Sequence, residues 1–254
     1  MRRLPNPPKG VRPFFPQRGQ TLSASGKGSD PLRGLLLVDK PAGMTSHDVV
    51  QTVRRKLGVR RIGHTGTLDP MAEGLLILLV GPATKFQQAL QGHEKTYEAV
   101  MRLGTQTDTG DALGRTVRTA AVPALVRDRV AELLTSFEGE LDQTPPAYSA
   151  VKVRGRPAYW WARRQQPVAL SARRIRLADM TVVDCRPDTI AFRVRCSAGT
   201  YIRTLAESIA GRLGTVGHLT KLVRWRIGEW RREDAKPLAW ITQASTDTVV
   251  RALQ

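Results

Sequence analysis

The chain has 254 residues, of which 41% are hydrophobic and 24% are charged, which is enough apolar material for one large globular domain. No apolar run approaches the roughly 18 residues of a membrane span, and the first residues lack the apolar segment of a secretory signal. The two cysteines form neither a disulfide framework nor a zinc motif. These exclusions favour a reduced, cytoplasmic protein.

Net charge is the strongest compositional signal. Forty Lys and Arg residues against 22 Asp and Glu give a net charge of +18 and a pI near 11.0. Residues 1–33 hold seven basic residues and one acid, a net charge of +6, so the other residues carry +12. A basic body favours a polyphosphate partner. We expect nucleic acid rather than membrane, because no basic amphipathic helix with an apolar face is evident; charge alone does not separate RNA from DNA.

The first elements are readable from turn and capping residues. Residues 1–33 contain six prolines and four glycines and are predicted to form a disordered basic arm. A short strand is predicted from Gly34 and ends at a Pro-Ala-Gly turn. Thr45 or Ser46 can then cap a helix that runs to Leu57, where a glycine ends it.

The most informative segment is residues 63–86, which present one carboxylate in a Gly/Thr/Pro-rich loop. Pro70 stiffens the loop directly after Asp69, and the apolar run Leu75 to Val80 predicts a strand buried on both faces. A lone acid on a stiff loop beside a core strand is typical of an enzymatic nucleophile or base. The alternative is an ordinary capping or turn aspartate.

The remaining pattern alternates strands and helices and predicts an α+β protein. We expect strands at Lys95–Leu103, Arg176–Asp184 and Thr189–Cys196, a polar turn at 105–115, and helices at Leu125–Phe137 and from the Tyr201 region to Leu213. The helix at 125–137 is predicted to turn Val126, Val130, Leu133, Leu134 and Phe137 inward. In the predicted hairpin, Cys185 lies near the turn and Cys196 far from it, so a bridge between them is not expected.

Residues 144–176 differ in character from the rest of the chain. The segment is rich in Lys and Arg, has no acid, and contains Tyr148, Tyr159, Trp160 and Trp161. Interleaved basic and aromatic side chains favour an RNA-contacting insertion in which aromatic rings stack on bases. The alternative is a helix that packs its tryptophans inward, and we expect one of the two tryptophans to do so.

Taken together, the segments resemble the TruB family of tRNA pseudouridine synthases. The resemblance spans about Gly34 to Trp230 and rests on eight blocks in family order: GLLLVDKPAGMTS, GHTGTLDPMAEGLL, GPATKF, KTYEA, GTQTDTGDALG, TPPAYSAVK, CSAGTYIRTL and HLTKLVRWRIGEW. It implies the pseudouridine synthase fold, an α+β fold with a central mixed, mainly antiparallel sheet flanked by helices, and a catalytic domain over residues 34–232 that carries the insertion 144–176.

The resemblance also implies an activity and a set of site residues. The expected reaction isomerises uridine 55 in the T-arm of tRNA to pseudouridine, with no cofactor and no metal. Asp69 matches the family's catalytic aspartate, and all the chemical routes open to it need the ionised carboxylate. The matching support residues are Arg203, which pairs with the aspartate, Tyr97, Tyr201 and Leu222. Expected RNA-binding residues are His64, associated with flipping of the base, Lys40, Lys85, Lys152 and Arg154.

The chain departs from the family pattern at both ends. Residues 233–254 are predicted to be a short tail rather than the RNA-binding PUA domain of many bacterial relatives, and the arm 1–33 has no counterpart in the family. The expected partner is the tRNA T-arm, with no membrane and no required protein partner, and the expected state is a monomer. Two alternatives to the stand-alone enzyme are a non-catalytic tRNA-binding or folding chaperone and an enzyme of the archaeal or eukaryotic guide-RNA type.

Overall fold

A computed structural model describes residues 32–166 and 168–254. The predicted disordered arm, apart from its last two residues, lies outside the described residues. The described part is an α+β fold built on one ten-stranded sheet, with two small two-stranded sheets beside it.

The strands are β1 (Gly34–Lys40), β2 (Ile62–His64), β3 (Glu73–Val80), β4 (Lys95–Leu103), β5 (Thr105–Thr107), β6 (Thr116–Thr119), β7 (Gly139–Gln143), β8 (Lys152–Val153), β9 (Arg156–Pro157), β10 (Arg173–Arg186), β11 (Thr189–Cys196), β12 (Gly217–Ile227), β13 (Trp230–Arg231) and β14 (Lys236–Pro237). The α-helices are α1 (Ser46–Leu57), α2 (Gln87–Gln91), α3 (Arg127–Thr135), α4 (Ala158–Ala162), α5 (Ile202–Arg212), α6 (Leu238–Gln243) and α7 (Thr246–Arg251), and 3₁₀ turns occupy Gly81–Phe86 and Arg232–Asp234.

The main sheet is mixed but mainly antiparallel, as expected. Its strand order is β14-β1-β3-β12-β4-β11-β10-β7, with β2 paired to β3 and β13 paired to β12. Only the β1–β14 and β3–β12 pairs are parallel within this sheet as described. β3, the strand that follows the Asp69 loop, therefore lies between β1 and β12 in the middle of the fold.

The prediction of a strand buried on both faces is confirmed by β3. Its residues Leu75 to Val80 are all 0% exposed. Alternate side chains enter two different apolar clusters, one shared with the helices and one shared with Trp230 and Ile227. The continuous apolar run is therefore a consequence of covering both faces of the sheet.

The helix predicted after the first strand is also confirmed. Thr45 caps α1 with a capping box that includes Asp48, and Gly58 ends the helix with a φ of 64°. The helix predicted from Leu125 begins later, at Arg127. Val126 was expected to face inward, but it precedes the first helical turn and is 57% exposed, so that expectation is wrong.

Within the insertion 144–176, β8 and β9 form a small hairpin that leads into the five-residue helix α4. The expectation that one tryptophan packs into the core is wrong. Trp160 and Trp161 are both half-buried and lie against each other edge to face, with ring centroids 4.8 Å apart. The short helix folds back on its own hairpin, where Trp161 Nε1 donates to the Val153 carbonyl at 3.1 Å, and neither ring belongs to the two apolar clusters of the described residues.

Residues 236–254 pack onto the rest of the fold rather than extending from it. β14 pairs with β1, and α6 and α7 contact α1. Ile241 and Val249 are fully buried in the main core, and the backbones of Leu35 and Gln254 exchange two hydrogen bonds of 2.8 and 2.9 Å. The sequence boundary expected at 232/233 therefore separates residues that share one core. In the described ranges, no helix is long and apolar enough to cross a bilayer.

Candidate active site

The loop between β2 and β3 carries Asp69 and is fastened at several points. Its anchoring hydrogen bonds are Thr65 N to the Ile77 carbonyl (3.1 Å), Leu68 N to Ser46 Oγ (2.8 Å), Gly43 N to the Pro70 carbonyl (2.8 Å) and Ala72 N to the Asp69 carbonyl (3.1 Å). These bonds tie the loop to β3, to the start of α1 and to the turn after β1. The carboxylate is thus presented on a rigid support.

Two nitrogens of the Arg203 guanidinium bind the Asp69 carboxylate. Arg203 Nε donates to Asp69 Oδ2 at 2.9 Å, and Nη2 donates to Oδ1 at 3.2 Å. The Arg203 side chain is 5% exposed, whereas that of Asp69 is 32% exposed. A two-point charged pair of this kind fixes the plane of the carboxylate, while leaving the acid accessible to a substrate.

The same guanidinium is held from its other side. Nη1 donates to the Thr109 carbonyl at 2.6 Å and Nη2 to the Tyr148 carbonyl at 2.9 Å. Asp111 Oδ2 lies 4.0 Å from Arg203 Nε, and its own carboxylate accepts hydrogen bonds from Thr109 Oγ1 and Leu113 N. Arg203 therefore stands between one accessible acid, Asp69, and one buried acid, Asp111.

The backbone before α5 positions Arg203 beside Asp69. Tyr201 precedes the first turn of α5, and the buried Gln143 at the end of β7 holds its backbone. Gln143 Oε1 accepts from Tyr201 N at 2.8 Å, and Gln143 Nε2 donates to the Tyr201 carbonyl at 3.0 Å. This pair of bonds orients the helix start from which Arg203 reaches the Asp69 loop.

Tyr97 lies on β4 beside these groups. It is 8% exposed and belongs to the main apolar cluster together with Leu222 and Ile202. Burial raises the pKa of the Tyr97 phenol, and the Asp69 charge also raises it, whereas Arg224 opposes the rise. The phenol is therefore neutral at physiological pH, with its ring available as an apolar wall of the site.

The family is identified by a match to a family model. The model for the TruB family pseudouridylate synthase (N terminal domain) matches residues 54–202, which is more than half of the chain. The chain belongs to the TruB family. The pseudouridine synthase fold expected from the sequence is therefore the fold that the structure shows.

Relatives within the TruB family extend over most of the chain. The tRNA pseudouridine synthase B of Aromatoleum aromaticum is 47% identical over 205 residues, which cover 81% of this chain and 66% of that protein. The tRNA pseudouridine synthase B of a Mycobacterium species (strain KMS) is 44% identical over 221 residues, which cover 85% of this chain and 73% of that protein. The chain thus spans about two thirds of the length of several curated relatives that it matches.

A solved structure agrees with the fold. A chain of a Cbf5-Nop10-Gar1 complex is 30% identical to this chain, with a TM-score of 0.66. The similarity covers 87% of this chain and 59% of that one.

The structure brings two of the expected support residues to the acid. Arg203 contacts Asp69 directly, and Tyr97 lies near enough for the Asp69 charge to raise its pKa. Leu222, by contrast, is placed only in the main apolar core that also holds Tyr97. Tyr201 is half-buried at the start of α5 and reaches the site through its backbone. No group of three or more metal-ligating side chains occurs in the part of the chain that the structure describes.

The expected RNA-binding residues fall into two groups. Lys85, Lys152 and Arg154 are exposed, and His64 is half-buried, so all four retain surface for RNA. Lys40 differs, because it is 0% exposed and its ammonium donates to the carbonyls of Pro41, Met44 and Pro70 at 2.8, 2.6 and 3.4 Å.

The geometry of Lys40 does not fit the expected contact with RNA. Burial and the Arg224 charge lower the pKa of Lys40 to about 8. Its position instead makes it a support for the Asp69 loop.

Three polar residues at the site were missed by sequence reasoning. Asp111 appeared only as part of a polar turn, Gln143 was assigned to no element, and Arg224 counted as one more basic residue. The hairpin of β5 and β6 is what buries Asp111, and pairing of β12 with β3 and β4 is what buries Arg224. Only the Gly-rich setting of Asp111 offered a local signal.

Proposed function

We propose that this chain isomerises uridine to pseudouridine in tRNA, at position 55 of the T-arm, with Asp69 as the catalytic nucleophile or base. The observation that carries the proposal is the two-point Arg203–Asp69 contact, in which a buried cation orients an accessible carboxylate. TruB membership and the tRNA pseudouridine synthase B relatives supply the reaction class.

The arrangement matches what the reaction asks of a protein. The C1′–N1 bond of uridine breaks, the uracil turns, a C1′–C5 bond forms, and the proton on C5 is replaced by one on N1, so no atom is gained or lost. Asp69 can attack C1′ or C6, or take the 2′ proton on a route through a glycal. Every route begins from the carboxylate anion, which Arg203 orients through its two-point contact.

The target base must leave its stack before the carboxylate can reach it. His64 lies two residues from Gly66 at the entry of the Asp69 loop, and Gly66 N donates to His64 Nδ1 at 3.3 Å. Burial lowers the pKa of His64, as do the positive charges around it. A neutral imidazole at this position can occupy space left by the flipped uridine without bringing a charge into the RNA stack.

The insertion 144–176 is connected to the same site. Arg203 binds the Tyr148 carbonyl, and the next residue, Ser149, accepts a backbone hydrogen bond from Tyr159 at 3.1 Å. Around α4, Arg164 stacks on Trp160 at 3.6 Å and Arg163 lies 5.4 Å from Tyr159. Such paired cations and rings suit a single-stranded or looped RNA, and they support tRNA as the partner.

The remaining proposals follow the same assignment. We infer a cytoplasmic enzyme that acts on tRNA as a monomer, with no required protein partner and no cofactor. The arm 1–33 is proposed to add phosphate contacts, since it carries a net charge of +6.

The direct test is incubation of the purified chain with unmodified tRNA, followed by mapping of the uridine that becomes pseudouridine. We expect a single modified position, uridine 55. Modification at another site would contradict the positional assignment, and the absence of any modification would contradict the enzymatic one.

A second candidate is a non-catalytic chaperone that loosens the tRNA elbow. The stacked Arg–Trp arrangement around α4 favours it independently of Asp69, because stacking groups alone can hold an unfolded T-loop. Annealing of misfolded tRNA by a chain whose Asp69 is replaced by asparagine would show this activity, and both roles can coexist.

A further inference from the structure

Arg224 is a buried cation whose charge the catalytic scheme above does not use. It lies on β12, where the strand is paired with Gly74 of β3 on one side and with Tyr97 of β4 on the other. It is 1% exposed, and among residues 32–166 and 168–254 no carboxylate lies within 4.0 Å of its guanidinium. Burial of an arginine without a neighbouring acid is unfavourable, so backbone carbonyls must compensate for the lost hydration of its guanidinium.

The guanidinium joins the two ends of the loop that carries Asp69. Arg224 Nε donates to the Leu75 carbonyl at 2.7 Å, and Nη2 donates to the Gly66 carbonyl at 3.1 Å. Asp69 lies between these two acceptors. The planar Arg224 guanidinium therefore fixes the distance between the Gly66 and Leu75 carbonyls, which lie at the two ends of the loop.

Two glycines allow the neighbouring backbone to approach Arg224 closely. A Cβ at Gly74, which has a φ of 103°, would collide with the backbone of Arg224. Gly66 has a φ of 156°, and a Cβ there would stand 3.7 Å from Arg224 Nη1. The first of these glycines lets β12 approach β3, and the second turns its carbonyl toward the guanidinium.

We propose that Arg224 is a positioning residue, a clamp across residues 66–75 that holds Asp69 in register with Arg203. The proposal rests on the function proposed above for Asp69. It assigns Arg203 to the carboxylate itself and Arg224 to the loop that carries the carboxylate. Without the clamp, the Asp69 carboxylate is misplaced, and misplacement of about 1 Å can cost on the order of 100-fold in rate.

The test compares Arg224→Lys with Arg226→Lys, a matched exposed position on the same strand whose Nε binds the Gly228 carbonyl. Lysine keeps the charge but cannot donate to two separated carbonyls in a fixed fork. We expect Arg224→Lys to lower the single-turnover rate on tRNA by at least about 10-fold and to change tRNA affinity less than about 3-fold. Arg226→Lys is expected to leave the rate unchanged.

Hydrogen exchange in the absence of RNA separates a clamp from general stability. Arg224→Lys is expected to speed amide exchange within residues 66–75 and to leave β11 and α5 unchanged. A wild-type rate with wild-type exchange would overturn the proposal, and so would a uniform rise in exchange across the sheet.

Gly66→Ala provides a second variant, which guards against failure of Arg224→Lys to fold. The new methyl group strains the backbone at a positive φ and displaces the Gly66 carbonyl, while its 3.7 Å approach to Arg224 Nη1 is an ordinary van der Waals contact that leaves the guanidinium in place. The same local exchange and the same fall in rate are expected, and unchanged values would overturn the clamp. If the wild-type chain makes no pseudouridine, the proposed function fails, but the exchange experiment still decides whether Arg224 holds the loop.

Discussion

Arg203 is the residue through which the site is organised. Its guanidinium contacts Asp69, the carbonyls of Thr109 and Tyr148, and, at 4.0 Å, the buried Asp111. The accessible acid therefore meets a cation that is already fixed by three other groups. Such preorganisation means that little rearrangement is needed when a nucleotide arrives.

Replacement of Arg203 by lysine tests the geometry separately from the charge. Lysine can make one contact with Asp69 but cannot reproduce the two-point pair, so we expect the single-turnover rate of pseudouridine formation to fall by about 100-fold. The tRNA dissociation constant should change less than about 3-fold. Arg212→Lys, at the exposed end of the same helix, serves as the control; a wild-type rate for Arg203→Lys would contradict the importance of the paired geometry.

His64 gives the molecule a predictable pH dependence of stability. Its pKa in the folded protein lies below the ordinary 6.5, mainly because of burial. Below pH 6.5 the unfolded chain therefore binds more protons than the folded chain, and stability falls as the pH drops through this window. We expect the free energy of unfolding, measured with urea at pH 7.5 and 5.5, to fall more for the wild type than for His64→Gln.

The comparison at pH 7.5 serves as the reference, because His64 is neutral there in both the folded and the unfolded chain. Equal decreases for the wild type and His64→Gln between pH 7.5 and 5.5 would show that His64 titrates alike in both states.

At the scale of elements, the insertion combines a small hairpin with the short helix α4. Lys152 and Arg154 lie in and beside the strand β8, and both are exposed. Arg154 sits at the hairpin turn with a φ of 51°. The hairpin thus exposes its two cationic side chains to solvent, where a tRNA backbone can reach them.

The double variant Lys152→Ala/Arg154→Ala tests this surface. If both side chains bind phosphates, the slope of log affinity against log salt should become shallower by about one for each phosphate that is no longer neutralised. Arg186→Ala is the control, since Arg186 lies at the opposite end of β10 from the insertion and is paired with Asp184. An unchanged slope for the double variant would place the tRNA elsewhere.

At the scale of the whole molecule, positive charge is spread over both the body and the N-terminal segment. Deletion of residues 1–31 removes six basic residues and one acid, a net charge of +5. If these residues contact tRNA, the deletion should weaken binding and reduce the salt slope while leaving the rate at saturating tRNA unchanged. A wild-type slope after deletion would mean that the segment does not touch tRNA.

The framework of the fold was predictable because its elements carry local signals. β3 is visible as a continuous apolar run, β4 as an alternating one, and α1 through Thr45 and Gly58. The buried charges were not predictable, because Lys40, Asp111 and Arg224 are of residue types that normally lie at the surface. Their burial depends on carbonyls and glycines brought together by strand pairing between distant segments, which no local pattern reveals.

The most direct measurement of the central claim is the activity of Asp69→Asn. The amide keeps the size of the side chain and can still accept a hydrogen bond from Arg203, but it is neither a nucleophile nor a base. We predict that this variant folds, binds tRNA with an affinity within about 3-fold of the wild type, and forms no pseudouridine. Formation of pseudouridine at the wild-type rate would show that Asp69 does not carry the chemistry.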